Sequence, residues 1–449
     1  MANSYFQTRT LEQVPDLLAL HSINPERYPH LLASNARGND LARYDILFAF
    51  PQHALTVEQS GDFLQQLDDQ FHAEQVPQQN SELPFYGGWL LYLGYELAAE
   101  IEPGLQLPRA RDGLPVAHMV RIPAAIVVDH QLRQATLVWE NDTPDLAAQM
   151  LDDIARLTPQ TAHNYQQTVA IGELNEDDAR AYLQQVEQIK HYIVEGDVFQ
   201  VNLSRAWHTE LVQPVNHASI YRRLSQSNPG PFNALLSWGD RAIISSSPER
   251  LVEVRGRRVQ TRPIAGTRPR SASDNEDRAL SAELLGHPKE RAEHIMLIDL
   301  ERNDLGRICR AGSVEVSELM ALESYQHVHH IVSNVRGELR DDVTPAAVIR
   351  AVFPGGTITG CPKVRCMEIL AELEQTGRGA YTGSLGYLNR DGSMDLNILI
   401  RTLVRNGEQI RFRAGGGIVA DSSPQHELAE TRAKAKGLIM ALTTPKSVN

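Results

Sequence analysis

The chain has 449 residues, 42% hydrophobic and 22% charged, which is enough apolar material for a large core and excludes a disordered or fibrous class. Its 56 acidic and 43 basic residues leave a formal charge of −13, which repels phosphate backbones and favours a small molecule or another protein over nucleic acid as the partner. Three cysteines are too few for a disulfide scaffold, residues 1–10 lack the parts of a signal peptide, and the longest apolar runs fall short of the roughly 18 residues needed to span a bilayer, so a cytoplasmic protein without a membrane span is expected.

Residues 1 to about 140 alternate strand-like runs (47–51, 85–97, 124–128) with Pro- and Gln-rich connections and predict a mixed, β-containing unit. A polar, Gln- and Ala-rich stretch spans 143–166. From Asn175 the pattern Ala181, Leu183, Val186, Ile189, Ile193 predicts an amphipathic helix opening a second unit. The boundary is placed near 170, giving an N-terminal region 1–170 and a catalytic domain 171–449. Helices and strands then intermingle without strict βαβ alternation, which favours α+β with antiparallel sheets over a doubly wound fold.

Two helices carry carboxylates in a spacing suited to a metal. In His287-Pro-Lys-Glu-Arg-Ala-Glu-His294, Pro288 suits a first helical turn, and Glu290 and Glu293 share a face. Ser423-Pro424 opens another helix bearing Glu427, Glu430 and Lys434 on one side. Taken alone, either helix reads as well as a solvated, ion-paired face. Ahead of the second helix, Ala414-Gly-Gly-Gly-Ile-Val419 reads as a loop that approaches a ligand or as a plain turn. The stretches 263–267 and 353–360 fit neither Walker nor dinucleotide spacing. Cys361 and Cys366 lack the other ligands of a zinc site and read as packing residues. No G-x-S-x-G or H-E-x-x-H pattern supports a hydrolase.

In this order, Gly196-Asp-Val-Phe-Gln-Val-Asn-Leu-Ser-Arg205, Ser247-Pro-Glu249, Pro263-Ile-Ala-Gly-Thr267, Lys289-Glu-Arg-Ala-Glu-His294, Arg302-Asn-Asp-Leu-Gly-Arg307, and the stretches 353–363 and 414–434 resemble the chorismate-utilising enzymes. Upstream, Leu31-Leu-Ala-Ser34, Arg43-Tyr-Asp-Ile-Leu47 and residues 87–96 resemble the N-terminal region of the family's aminating members. The resemblance implies an α+β fold of two orthogonally packed antiparallel sheets flanked by helices. It implies Mg²⁺ held by Glu293 and Glu430, with Glu290 and Glu427 beside them, and Glu249 as the general acid that protonates the departing C4 hydroxyl. Tyr381 and Arg401 match residues that bind the enolpyruvyl carboxylate, and Gly266, Thr267, Thr357, Gly415 and Gly417 match other substrate contacts. His330 matches a histidine beside the reacting ring, and Lys434 lies on the metal helix near the substrate carboxylate.

Departures from the pattern narrow the reaction. The isochorismate and salicylate synthases carry a water-activating lysine where Gln200 stands, so ammonia is the expected nucleophile, supplied by a separate glutamine amidotransferase subunit. Ala265 is the anthranilate synthase pattern. Asn202, Arg250 and Gly355-Gly-Thr-Ile-Thr-Gly360 are more similar to the aminodeoxychorismate synthases, which make the precursor of p-aminobenzoate and folate, and Asn228-Pro-Gly-Pro-Phe-Asn233 departs from the Asn-Pro-Ser-Pro-Tyr-Met stretch that anthranilate synthases carry near their tryptophan pocket. Aminodeoxychorismate is therefore the expected product, with anthranilate as the alternative.

Overall fold

The computed structural model describes residues 4–35, 42–59, 61–271, 273–324 and 328–443. Among these, two wholly antiparallel sheets of 12 and 10 strands carry the fold. The first runs Phe6–Thr10, Gln134–Glu140, Ala124–Asp129, Tyr44–Ala49, His30–Ala33, Phe232–Trp238, Arg241–Ser247, Thr402–Asn406, Gln409–Ile418, Gln200–Glu210 and Gly360–Cys361, with Asn175–Glu176 beside Gln200–Glu210. The second runs Ile264–Pro269, Val328–Glu338, Arg258–Thr261, Arg250–Arg255, Met394–Ile398, Ser384–Asn389, Gly88–Leu93, Ala117–Ile122 and Ala54–Val57, with Glu315–Ser324 beside Val328–Glu338. The architecture is α+β, as expected.

Strand periodicity explains the layering. In Ala124–Asp129, Ala124, Ile126 and Val128 face one apolar cluster while Ala125 and Val127 face another. In Gly88–Leu93, Trp89, Leu91 and Leu93 face a third cluster while Leu90 and Tyr92 join Ala125 and Val127. Both strands read as unbroken apolar runs because both faces are covered. The shared cluster lies between the sheets. Outside the first sheet pack the helices Leu17–Ile23, Leu146–Ala155, His217–Ser227 and Pro424–Leu442, and outside the second pack Phe63–Glu74, Pro288–Gly306 and Pro345–Val352.

Neither sheet divides near residue 170. His30–Ala33 pairs with Phe232–Trp238, and Gly88–Leu93 pairs with Ser384–Asn389, so early strands complete both sheets. The polar stretch 143–166 contains the helix Leu146–Ala155, whose Ala147 and Met150 enter the core. The helix expected after Asn175 is Ala179–Glu195, closed by Gly196 at φ 86°, but its buried stripe is Tyr182, Val186 and Ile189, with Ala181 facing solvent. The ring of Tyr182 contributes the apolar area that Ala181 was expected to supply. Cys309 and Cys366 are buried and Cys361 partly so, all unpaired. No helix among the described residues is long and apolar enough to cross a membrane.

Candidate active site

The site lies where the chain passes twice between the sheets. Strand Arg241–Ser247 belongs to the first sheet and Arg250–Arg255 to the second, so Pro248 and Glu249 form the crossing. Met394–Ile398 belongs to the second sheet and Thr402–Asn406 to the first, so Arg401 sits on the return crossing. The two are fastened together: Ser247 Oγ donates to the Ile398 carbonyl at 2.5 Å, the Ile398 amide to the Glu249 carbonyl at 3.0 Å, and the Ser246 amide to the Arg401 carbonyl at 3.1 Å. Arg401 has φ 51°, a left-handed conformation that costs a residue with a Cβ about 1–2 kcal/mol and persists where the surroundings impose it. Arg250 anchors the first crossing through a two-pronged pair with Asp395 at 2.9 and 2.8 Å.

Glu249 is 6% exposed, and burial pushes its pKa up to about 7, while the Thr357 hydroxyl, the backbone at Ile264, Arg401 and Lys434 pull it partly back. The Thr357 hydroxyl sits beside the carboxyl without a well-directed bond; among the described residues neither Glu249 Oε1 nor Thr357 Oγ1 has a hydrogen-bond partner. A buried carboxyl that holds its proton near neutrality can act as an acid. Arg401 faces it, with its own pKa lowered by burial and raised by Glu249. His330, on Val328–Glu338, lies 3.3 Å from the Gly266 carbonyl through Nδ1, and burial and then Arg401 lower its pKa to about 4, leaving a neutral ring at pH 7. Gly266 has φ +65° at an irregularity in the pairing of Ile264–Pro269 with Val328–Glu338, a conformation open to glycine. Thr267 pairs with His330 through its backbone, and its side chain lies outside what the structure describes.

The three glycines form no loop. They lie inside strand Gln409–Ile418, where Gly415, Gly416 and Gly417 pair with Ser204, Leu203 and Asn202. The register of the neighbouring strand sustains extended backbone there, which a pattern of small residues alone does not announce. A Cβ at Gly415 would stand 2.4 Å from the Leu203 carbonyl and 2.8 Å from the Tyr381 hydroxyl, and one at Gly417 would stand 2.0 Å from Gln200 Nε2. The glycines thus admit Tyr381 and Gln200 close against the strand.

Helix Pro424–Leu442 covers the same strand. Lys434 Nζ donates to the Gly415 carbonyl at 2.9 Å and pairs with Glu430 at 2.7 Å. A Cβ at Gly416 would lie 3.4 Å from Glu427 and 3.5 Å from Glu430. Ligand atoms of His426, Glu427 and Glu430 lie within 4.8 Å of one another, a largely carboxylate set suited to a hard divalent cation. Among the described residues, Glu290 and Glu293 do not join this group. Both stand on helix Pro288–Gly306, where Glu290 pairs with Arg268 at 3.1 Å and its other oxygen closes on Gly266. An arginine is a better neighbour for Glu290 than two more carboxylates. The structure thus gathers Glu249, Thr357, Arg401, His330 and Gly266 around the two paired crossings, and Tyr381, Gly415, Gly417, Lys434, Glu427 and Glu430 around the adjoining strand.

Sequence reasoning missed two parts of this site. His426 joins the carboxylates, and only its adjacency to Glu427 could have signalled it. Under the glycine strand, buried Glu374 accepts from Ser204 and pairs with Arg378 at 2.8 Å and Arg413 at 2.9 Å, while Arg378 lies 5.6 Å from the centre of the Tyr381 ring. The i, i+4 spacing of Glu374 and Arg378 was the available signal.

Comparisons with known proteins agree on the family. The family model described as chorismate binding enzyme matches residues 30–440. An anthranilate synthase component I-like protein of Synechocystis is 45% identical over 80% of this chain and 73% of its own length. Aminodeoxychorismate synthase component 1 of Bacillus subtilis is 43% identical over 81% and 78%. The crystal structure of anthranilate synthase component I from Streptococcus pneumoniae superposes with a TM-score of 0.80 at 33% identity, over 88% of this chain and 92% of the other. The menaquinone-specific isochorismate synthase of Escherichia coli shares the fold, with a TM-score of 0.74 at 18% identity over 98% and 95%. From this match across both crossings, the glycine strand and the C-terminal helix, the chain belongs to the chorismate-binding enzyme family.

Proposed function

We propose that the chain is the synthase component of an aminodeoxychorismate synthase, converting chorismate and ammonia into 4-amino-4-deoxychorismate, with the ammonia delivered by a glutamine amidotransferase subunit. The observation that carries the amination chemistry is Gln200 Nε2 lying against Gly417, an amide where a water-activating lysine would be needed for hydration. Asn202, Arg250 and the run 355–360 support the aminodeoxychorismate branch, as does the 43% identity to the Bacillus subtilis enzyme.

In this reading Arg401 and Tyr381 hold the enolpyruvyl carboxylate, a planar anion that suits a guanidinium fork. Glu427 and Glu430, whose ligand atoms lie together, are the proposed holders of Mg²⁺, with Glu293 and Glu290 of helix Pro288–Gly306 as the further carboxylates that the family resemblance implies. When bound, that ion supplies positive charge for the ring carboxylate. Ammonia attacks C2, the ring double bonds shift, and the C4–O bond breaks as Glu249 protonates the leaving oxygen. The added nitrogen sheds a proton, and water leaves. With Ala265 unable to form an adduct, a second ammonia attacks C4, the ring double bonds shift back, the C2–N bond breaks, and the C2 amine leaves as ammonia with the proton that the new C4 nitrogen sheds.

Anthranilate synthesis is the second reading, favoured by Ala265 and by the 45% and 33% identity to anthranilate synthase relatives. Incubation with chorismate, Mg²⁺ and an ammonium salt, with products identified by mass, separates the two. A product that retains the enolpyruvyl group and gives p-aminobenzoate with a lyase supports the proposal. Anthranilate with released pyruvate overturns it.

A further inference from the structure

Behind Glu249 lies a second buried carboxyl that the reaction above does not use. Glu301, in the C-terminal half of helix Pro288–Gly306, is 6% exposed. The turn Gly356–Ile358 touches both acids: the Thr357 hydroxyl lies beside Glu249, and a Cβ at Gly356 would stand 3.6 Å from Glu301 Oε1. Glu301 also lies against the Thr261 hydroxyl at the end of Arg258–Thr261. The oxygens of Thr261 and Thr357, like Glu249 Oε1, are buried without a hydrogen-bond partner among the described residues. Buried hydroxyls and carboxyls with unused bonding capacity mark a place where a water or a shared proton is accommodated.

The charged groups facing Glu301 come from three elements. Asp304 lies one turn along its own helix, Lys363 reaches from helix Lys363–Glu374 to pair with Asp304 at 2.6 Å, and Glu249 comes from the crossing. Burial raises the Glu301 pKa most, Asp304 and Glu249 raise it further, and Lys363 and Thr261 oppose them. A buried acid beside a carboxylate already paired with a lysine is not needed for that ion pair.

We propose that Glu301 is a positioning residue that returns to Glu249 the proton that Glu249 gives to the leaving group. The inference rests on Glu249 being the general acid. When the C4–O bond breaks, the carboxyl proton of Glu249 leaves with the water formed. The carboxyl proton of Glu301 then moves by way of the threonine hydroxyls, or a water between them, to Glu249. Glu301 is left as a carboxylate near Lys363. The proton shed by the added nitrogen reaches it through solvent, so the cycle gains and loses no proton. The two acids titrate as a pair, and while either holds a proton Glu249 can be charged with it.

The test is the pH profile of the purified chain with chorismate, Mg²⁺ and ammonium, read for Glu301→Gln, Glu301→Asp and Glu249→Gln. For Glu301→Gln the alkaline limb of kcat is expected to move about one pH unit lower with KM for chorismate within about twofold of the parent, and Glu301→Asp restores the limb. Thr261→Val moves the limb the same way and serves if Glu301→Gln does not fold. An unmoved limb in both Glu301→Gln and Thr261→Val overturns the proposal, as does a loss of activity that comes wholly through KM. An inactive Glu249→Gln beside such unmoved profiles rejects the relay alone. A fully active Glu249→Gln rejects the acid and the relay together.

Discussion

The Ser246 amide donates to the Arg401 carbonyl at 3.1 Å, and this bond ties together the two crossings that carry the candidate acid and the candidate anion-binding arginine. Because both crossings leave the same two sheets, the separation of Glu249 and Arg401 is set by sheet packing and not by loop length. Reactive groups held by backbone in this way need little reorganisation when substrate arrives.

Glu249→Gln is expected to leave chorismate binding near that of the parent while lowering turnover by roughly 10² to 10⁴, the usual contribution of a positioned acid. The working form is the protonated one, so kcat/KM of the parent falls as pH rises through about 7. Steady-state kinetics against pH, with binding measured by calorimetry, checks both. Loss of binding in the variant would assign Glu249 to substrate or metal binding instead.

The same carboxyl costs the fold stability at alkaline pH. Its folded pKa, about 7, lies above the ordinary glutamate value of 4.5, so its favourable contribution is complete below 4.5 and is lost as pH rises through 7. Glutamine has no charge to bury. Glu249→Gln should therefore match the parent in stability near pH 4 and exceed it near pH 8, by on the order of 3 kcal/mol. Denaturant unfolding at the two pH values decides; an equal difference at both would rule the account out.

Gly415→Ala and Gly416→Ala should differ although they are neighbours. The Cβ at 415 meets the Leu203 carbonyl at 2.4 Å, backbone that cannot yield without moving the strand, whereas the Cβ at 416 meets only side-chain ends at 3.4 Å or more. The first substitution should cost about 1–3 kcal/mol and weaken chorismate binding, and the second should leave thermal stability unchanged. Melting curves of the pair test it, and equal melting temperatures would contradict the packing described.

Glu374 stands in a charge network that must be kept whole. Burial pushes its pKa up, but Arg378 and Arg413 outweigh burial and hold it below the usual range. Its contribution is therefore present above the unfolded pKa and lost as pH falls through the folded one. Glu374→Gln leaves two buried guanidiniums short of a counter-charge and should destabilise by about 3–5 kcal/mol. A denaturation midpoint close to that of the parent would refute this.

Much of the fold was legible in the sequence for particular reasons. Runs such as 124–128 have apolar side chains for both faces, so they read as buried strands, and Pro288 and Ser423-Pro424 marked helix starts that the structure keeps. The helix Leu146–Ala155 was not legible, because its buried face rests on Ala147, Met150 and a buried Asp153 that bonds Arg27 and Tyr28. The glycine strand was not legible either, since its conformation is imposed by pairing with Gln200–Glu210 more than 200 residues away in the chain. The partners of Glu290 were invisible for the same reason: Arg268 reaches it across a strand and a helix.

Metal dependence gives the last prediction. Glu427 is buried and Glu430 half-exposed, and burial, then Glu430, raise the Glu427 pKa while the Ser422 hydroxyl lowers it. Two carboxylates held this close repel, and a divalent cation relieves the repulsion; Lys434, paired with Glu430, competes for the same charge. Chelation should therefore stop turnover and added Mg²⁺ restore it. Glu430→Gln should raise the Mg²⁺ concentration for half activation about tenfold or more, while His426→Ala should change it little, because Mg²⁺ prefers oxygen to imidazole. Titration of activity with Mg²⁺ distinguishes the variants. Turnover that survives exhaustive chelation would remove the cation from the mechanism. A large effect of His426→Ala would point to a softer ion than Mg²⁺ at this helix.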